Sequence, residues 1–486
     1  MEPSTRAGQV VLRRPRAALV HAAAAGVDFQ WYFRRRRERD GDPFLLPFPG
    51  LGEAVFTGTP EGAREVFRAP IDALVPPRPN PIEPLVGTAS LILTGGERHR
   101  RDRALLAPAL HGTRVRAYGE LIAESVRGEV DSWRPGTVVD ARSAATAITL
   151  RVILDAVFGV GTQHRPAYIA AIGAFLGSFS GPLMLAPVLR HGLFGLSPWD
   201  RFVAARERLD QLLLADITER RDVTADDQYV GTAGTQSDEC ADRRGKGRGD
   251  AERDGAAGTH RTSSAGEDIA STLLGACYDD GSTISDRDLC DQLRTLLVAG
   301  HETTANTLVW ALLRVHREPA VLHRLRDELR DAGADAAPEE LLRLPYLDAV
   351  CQETLRLHPA VPIVLRRLTA PYTLRGAALA PDDIMGVAIP LLHSDPAVWS
   401  EPDRFRPERF LDRRYTPFEF APFGGGHRRC VGAALAETEL RIALATIIGR
   451  TRLRLAPPAD RGRLPRALPR GIATGPSRRI RFTVLE

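Results

Sequence analysis

Residues 423–432 read Phe-Gly-Gly-Gly-His-Arg-Arg-Cys-Val-Gly and lead straight into a helix-forming stretch from Ala433. The segment places one cysteine at the mouth of a helix, after a turn that only glycine-rich backbone makes easily. Glycine lets main chain pass close to the Cys430 sulfur, where a side chain would intrude. The helix N-terminus favours negative charge on that sulfur, and N–H groups of the turn can donate to it. A thiolate so placed can be the axial ligand of a haem iron, with the donors tuning the metal's potential. Two plainer readings stand beside this one. A lone buried cysteine is often just a small hydrophobe. A glycine-rich loop before a helix can cradle phosphate, but no Gly-Lys-Ser/Thr follows here.

Within the segment, Phe423, Gly424, Gly426, Arg428, Cys430 and Gly432 spell a pattern that resembles the haem-ligand loop of the cytochrome P450 family. The resemblance implies a mainly α fold with small β-sheets (α+β) in one haem-binding domain. It implies haem b as cofactor, Cys430 as the metal ligand, and Phe423, Gly424, Arg428 and Gly432 as lining of the cofactor site.

A second motif lies on a long helix. Ser285-Asp286-Arg287-Asp288 offers a capping serine and acidic first-turn residues, and Leu289, Leu293, Leu296 and Leu297 follow at helical spacing. Ala299-Gly300-His301-Glu302-Thr303-Thr304 then puts glycine and two β-branched residues in mid-helix, which local propensity disfavours. A local rule broken inside a strong helix often marks a functional site. The motif resembles the family's distal-helix signature. That likeness implies a widened groove at Ala299–Gly300 for dioxygen, with the Thr303 hydroxyl bonding the carbonyl four residues back. It also implies that Thr303 stabilises the activated dioxygen and that Glu302 relays protons from solvent. Taken by itself, the stretch also reads as a tolerated kink without chemistry.

Glu353 and Arg356 stand three apart on one helix face, a spacing common on any surface. With Phe405-Arg406-Pro407-Glu408-Arg409-Phe410 downstream, they resemble the family's buried charge network. The likeness assigns Glu353, Arg356 and Arg409 the structural task of holding the cysteine loop. For the haem propionates it offers His99 and Arg103, one turn apart on a helix, with Arg366 and Arg428. Arginine suits a carboxylate through paired donors. Arg100, Arg101 and Arg429 are expected to face outward on the thiolate side and to attract an acidic ferredoxin or flavodoxin.

The rest of the chain supplies the frame. Its 486 residues exceed the usual single domain, yet large helical cofactor enzymes reach this length as one unit. The expected division is a lead-in at 1–27, with a weak amphipathic helix near Ala17–Val27, and one domain at 28–486. Residues 28–70 read as helix, strand, strand, helix. Asp28 and Thr59-Pro60 are the helix caps, and the Arg34–Arg37 run is a solvated face. Pro76–Gly96 reads as irregular, and by resemblance it lies over the haem. Helical patterns fill Arg98 to about Gly195 and Trp199 to Arg221. Residues 222–266 hold almost no large apolar side chains and read as a disordered insertion.

A formal charge of +4 does not suggest a nucleic-acid binder. No run of 18 apolar residues exists, so no transmembrane anchor is expected. Five cysteines without a CxxC argue against a disulfide framework or an iron–sulfur cluster and fit a reducing cytoplasm. Electrons must then come from separate partners, a ferredoxin or flavodoxin with a reductase and NAD(P)H. The resemblance implies a monooxygenase that takes O2 and a lipophilic small molecule (terpenoid, fatty acyl or polyketide). Val298, Ala299, Val361, Pro362, Ile363, Val364, Leu365, Ile472 and Ala473 are the expected pocket wall. Other uses of a haem-thiolate protein stay open from sequence: a peroxygenase, a non-oxygenating enzyme, or a haem carrier without turnover.

Overall fold

The computed structural model describes residues 12–13, 28–48, 51–179, 183, 189–193, 195–229, 268–333 and 336–485. Among the described residues the longer helices are α1 (Phe29–Asp40), α2 (Pro60–Arg68), α3 (Gly96–Leu106), α4 (Thr113–Val130), α5 (Ala141–Val152), α6 (Arg165–Ser178), α7 (Pro198–Tyr229), α8 (Asp286–Arg317), α9 (Pro319–Ala332) and α10 (Pro345–Leu357), which precede the cysteine loop, and α11 (Ala433–Arg450), which follows it. The main sheet has the order β1-β2-β8-β5-β3, built from β1 (Phe44–Phe48), β2 (Gly52–Thr57), β3 (Leu74–Val75), β5 (Ile363–Leu368) and β8 (Ile384–Ala388). Only β2 and β8 run parallel in it.

Helix α8 is the axis of the core. Serine 285 caps it, its Oγ accepting from Asp288 N at 3.1 Å, as the sequence predicts. Leu289, Leu293, Leu297, Leu308, Trp310 and Leu312 are buried around its circumference, the mark of a helix enclosed on all sides. They share one apolar cluster with residues of α4, α5, α10 and α11. Buried polar groups on α8 tie down the irregular 76–96 segment. Asp291 accepts from Ala89 N at 3.0 Å, and Gln292 accepts from Leu91 N at 3.1 Å and donates to Ala89 O at 2.6 Å. Gly87 sits at φ +83°, and any Cβ there would lie 2.1 Å from the Asp291 carboxylate.

Helix α1 begins where expected, Asp28 Oδ1 accepting from Trp31 N at 3.0 Å. Phe33 then packs edge-on against Phe56 with centroids 5.2 Å apart, fixing the helix to the β1–β2 hairpin. The arginine run is a solvated face only in part, at the exposed Arg35 and the edge of Arg34. Arg36 is 5% exposed and pairs with Asp40 at 2.6 Å, Arg37 reaches Asp395 at 3.2 Å, and Arg34 grips Asp403 through two bonds. The acids that neutralise Arg34 and Arg37 are distant in sequence, so the run alone could not show its partners.

Two further readings change. A strand, β4 (Val138–Asp140), interrupts the stretch read as helical. It pairs with β12 (Arg481–Val484), which also pairs with β9 (Leu453–Leu455). Three residues whose partner is at the other end of the chain leave no local signal. Residues 222–229, expected in the insertion, continue α7; no glycine or proline intervenes before Gly231. Residues 230–266 of that insertion, and 1–11 and 14–27 of the lead-in, lie outside the described residues. Cys277 is disulfide-bonded, against the expectation from the odd cysteine count, which never excluded a single pair. Cys290, Cys351 and Cys430 are free. Among the described residues, no helix is long and apolar enough to cross a membrane.

Replacing Asp291 by Ala strands the Ala89 N–H and should cost about 1–3 kcal/mol of stability, measured by denaturant unfolding. An unchanged midpoint would show that α8 does not hold the 76–96 segment in this way.

Candidate active site

The loop before α11 has backbone that glycine alone accommodates well. Gly424 and Gly426 take φ +68° and +67°. At Gly425 a Cβ would fall 2.3 Å from Phe67 Cδ2, and at Gly426 2.1 Å from Phe67 O. Thus the glycines are required chiefly because the C-terminal end of α2 presses on the loop. The need for close approach to sulfur, expected from sequence, is a smaller part of it. Cys430 N donates to Phe423 O at 3.0 Å, closing the turn.

The Cys430 thiol lies deep in the protein, and burial pushes it up. The Gly432 N–H bonded to it, then Arg429 and Arg103, act in the opposite direction. Yet the residue is exposed by surface area. Both statements hold if its side chain faces an internal space enclosed by protein. A Cβ on Gly432 would likewise meet nothing within 4 Å.

Around that loop stand His99, Arg103, Arg366, His427 and Arg428. No carboxylate forms an ion pair with any of them among the described residues. Burial, with Arg428 and Arg103 nearby, holds His99 down at about 3. Burial and then Arg428 lower Arg366 to about 9, while burial and then Arg103 lower Arg428 to about 10. Arg428 gives two bonds to the carbonyls of Ile92 and Thr94, but its Nε is buried and unbonded, as is Nε2 of His427. Three guanidinium groups without anions, with orphaned donors among them, fit a ligand that brings two carboxylates. This set can receive the propionates of a haem whose face lies toward Cys430.

On α8, Ala299, Gly300, Glu302 and Thr303 retain accessible surface while His301, Thr304 and Ala305 are buried. Thr303 Oγ1 donates to Ala299 O at 2.6 Å. The helix is nonetheless continuous through the motif. Gly300 meets α5's extension closely; a Cβ would lie 3.1 Å from Ile153 Cδ1. Glu302 accepts from Ile472 N at 3.3 Å, in the turn between β10 (Ala467–Arg470) and β11 (Ala473–Pro476). Burial raises its carboxyl, only partly offset by Arg142 and the Ile472 N–H. Sequence gave no hint of two partners there: Arg142, and Thr149, whose hydroxyl lies 2.7 Å from His301 Nδ1.

Glu353, Arg356 and Arg409 do come together. Arg356 meets both carboxylate oxygens at 2.7 and 2.8 Å and Arg409 meets one at 3.1 Å, all with exposures of 3% or less. Arg356 also donates to His393 O and Pro402 O, each at 2.8 Å. His393 carries the connection onward, which sequence reading missed. Its Nδ1 bonds Arg356 O at 3.0 Å and its Nε2 accepts from Ala421 N at 2.9 Å, two residues before Phe423. Burial keeps this ring neutral, down at about 3.

The expected pocket wall is divided. Strand alternation turns Ile363 and Leu365 toward the cluster of Phe33 and Phe44. Val364 lies on the cysteine-loop side, 3.5 Å from a Gly424 Cβ position. Val298 is 2% exposed, within the main core. Val361 is 42% exposed, and Ile472 is half-buried. Of the outward arginines, Arg100 pairs with Glu97 and Arg101 with Asp280 at 2.8 Å; Arg429 has no carboxylate partner among the described residues.

A helical body with small sheets, pierced by α8 and closed by a cysteine loop, defines a haem-thiolate class of protein. The cytochrome P450 family model matches residues 27–479, and the chain belongs to that family. Its members bind haem b through a cysteine thiolate, and the chain is a cytochrome P450 monooxygenase. Among its relatives, cytochrome P450 138 of Mycobacterium tuberculosis is 31% identical over 84% of this chain and 82% of its own length. Cytochrome P450 135B1 of the same organism is 32% identical over 86% and 80%, and cytochrome P450 135A1 is 30% identical over 92% and 89%. The fold is similar to that of the retinoic acid-bound cyanobacterial CYP120A1, with a TM-score of 0.73 over 93% of each chain at 23% identity.

Gly425→Ala should cost about 1–3 kcal/mol through overpacking against Phe67. Adding Phe67→Ala should return part of the loss in thermal unfolding, and no recovery would remove the contact from the account.

Proposed function

We propose that Cys430 supplies the axial thiolate and that the chain inserts one atom of O2 into a lipophilic small molecule, using electrons from a separate ferredoxin or flavodoxin with its NAD(P)H-dependent reductase. The observation that carries this reading is the pairing of an inward-facing Cys430 with buried, anion-free guanidinium groups beside it. Bound haem supplies dioxygen activation, and thiolate donation favours O–O cleavage.

The chain's own residues then have separable tasks. Arg103, Arg366, Arg428 and His99 orient the cofactor by its propionates. Gly432 N–H and the positive end of α11 hold the sulfur as thiolate. Ala299 and Gly300 would leave room beside a bound haem, and Thr303 carries a hydroxyl there whose proton is engaged by Ala299 O. Its oxygen is therefore set to accept a further proton donor. Glu302, held by the Ile472 amide at the edge of the space, passes protons from solvent toward it. Val364 on the cysteine-loop side and Ile472 beside Glu302 are apolar, which favours a lipophilic substrate. Retinoic acid, bound in CYP120A1, is of that class. Electron delivery centres on Arg429, which has no acidic partner among the described residues, since Arg100 and Arg101 are already paired.

Purified wild type should consume NADPH and form product with lipophilic compounds that shift its Soret band, given ferredoxin and reductase. Cys430→Ser should abolish turnover and move the reduced carbonyl complex from the thiolate position. A spectrum unaltered by that change would end the assignment, and turnover with peroxide alone would favour a peroxygenase.

Burial raises Glu302, so its proton persists to higher pH than on an ordinary carboxyl. Product formation should fall as pH rises through that raised value. In Glu302→Gln the rate should drop about 10²-fold and this limb should vanish. A variant keeping the wild-type profile would leave the relay to another group.

A further inference from the structure

A second surplus of buried positive charge lies outside this site. A cavity of about 240 Å³ is lined by Gln30, Arg34, Arg314, Arg356, His358 and Asp403, with parts of the 390–394 and 464–465 segments. Arg314, on the last turns of α8, is 7% exposed and has no ion pair among the described residues. Its Nε donates to His358 Nε2 at 2.9 Å, and its guanidinium lies 5.7 Å from the Phe405 ring centroid. Its Nη nitrogens bond to no described residue, yet they are not among the buried atoms lacking partners. The little surface that Arg314 keeps therefore lies at these nitrogens, and it opens on the cavity it lines.

The neighbours do not neutralise it. Glu318 exerts the strongest acidic influence on Arg314 but forms no ion pair with it, and Arg317 acts in opposition. Asp403 is occupied by Arg34. Glu353 is shared between Arg356 and Arg409. His358 cannot act as a base toward the cavity, since its Nε2 already accepts from Arg314 and its ring stacks on Trp310 at 3.8 Å. Among the residues lining the cavity, Arg34, Arg314 and Arg356 thus outnumber the one carboxylate, Asp403. A buried cation with free, forked donors in an open cavity is suited to an oxyanion.

We propose that this cavity binds a small tetrahedral oxyanion of phosphate size, with Arg314 as its principal ligand and Arg34 at its rim. Because Arg356 borders the same cavity, binding also braces the network behind the cysteine loop.

The test uses the haem-loaded protein and inorganic phosphate, with sodium chloride at matched ionic strength as reference. Equilibrium dialysis with labelled phosphate should give saturable binding of one per chain, and the melting temperature should rise in step, as for any ligand of the native state. Arg314→Gln and Arg34→Gln should each weaken binding at least tenfold. Arg34 has a side chain 39% exposed, so its variant is expected to fold and decides the matter should Arg314→Gln not fold. Competition by methyl phosphate would extend the site to phosphomonoesters, and its absence would confine it to free phosphate. Non-saturable binding, a thermal shift equal to that in chloride, or full binding by Arg34→Gln together with any foldable Arg314 variant would overturn the proposal.

Discussion

Glu353 has no contact with water and accepts from two guanidinium groups and from the amide of Arg406. Two cations share this one acid in a medium where an unpaired charge would be very costly. Arg356 spends its remaining donors on three carbonyls of the 393–404 stretch. Through His393 the same group reaches Ala421 and the start of the cysteine loop. The loop has little helical or sheet bonding of its own. Its shape is therefore imposed by this network on one side and by Phe67 on another.

The opposite face of the problem is charge without a partner. Most buried arginines here have acids; Arg294, for instance, meets Asp210 and Asp291. Those around Cys430 have none among the described residues, and their mutual repulsion opposes folding. Under the proposed binding of two propionates there, the cofactor would offset that penalty, so binding it would also stabilise the fold. The arginine cavity beside Glu353 repeats the same electrostatic logic on a smaller scale.

The cysteine loop, the α8 motif and the Glu353–Arg356 pair were legible because each is short and each chemistry dictates its residue types. The helix caps at Asp28 and Ser285 were legible for the same reason: one side chain and one amide three residues away decide them. Illegible were contacts between distant segments. Arg37 and Asp395, Thr149 and His301, and Val139 and Phe482 are joined only by folding. Ile363 and Val364 looked alike as apolar neighbours, and only the register of β5 against β8 turned them to opposite faces.

By itself, then, the sequence determined the kind of cofactor ligand, the helical frame and the candidates for proton handling, since these rest on residue identity and local backbone preference. Tertiary structure decided which arginines lack counter-ions among the described residues, which glycines are forced by a neighbouring helix, and which apolar residues turn toward the cysteine loop. Those properties depend on burial and on charge summed over segments far apart in the chain. No local pattern encodes such sums, because desolvation and Coulomb interaction follow distance in space and not position along the sequence.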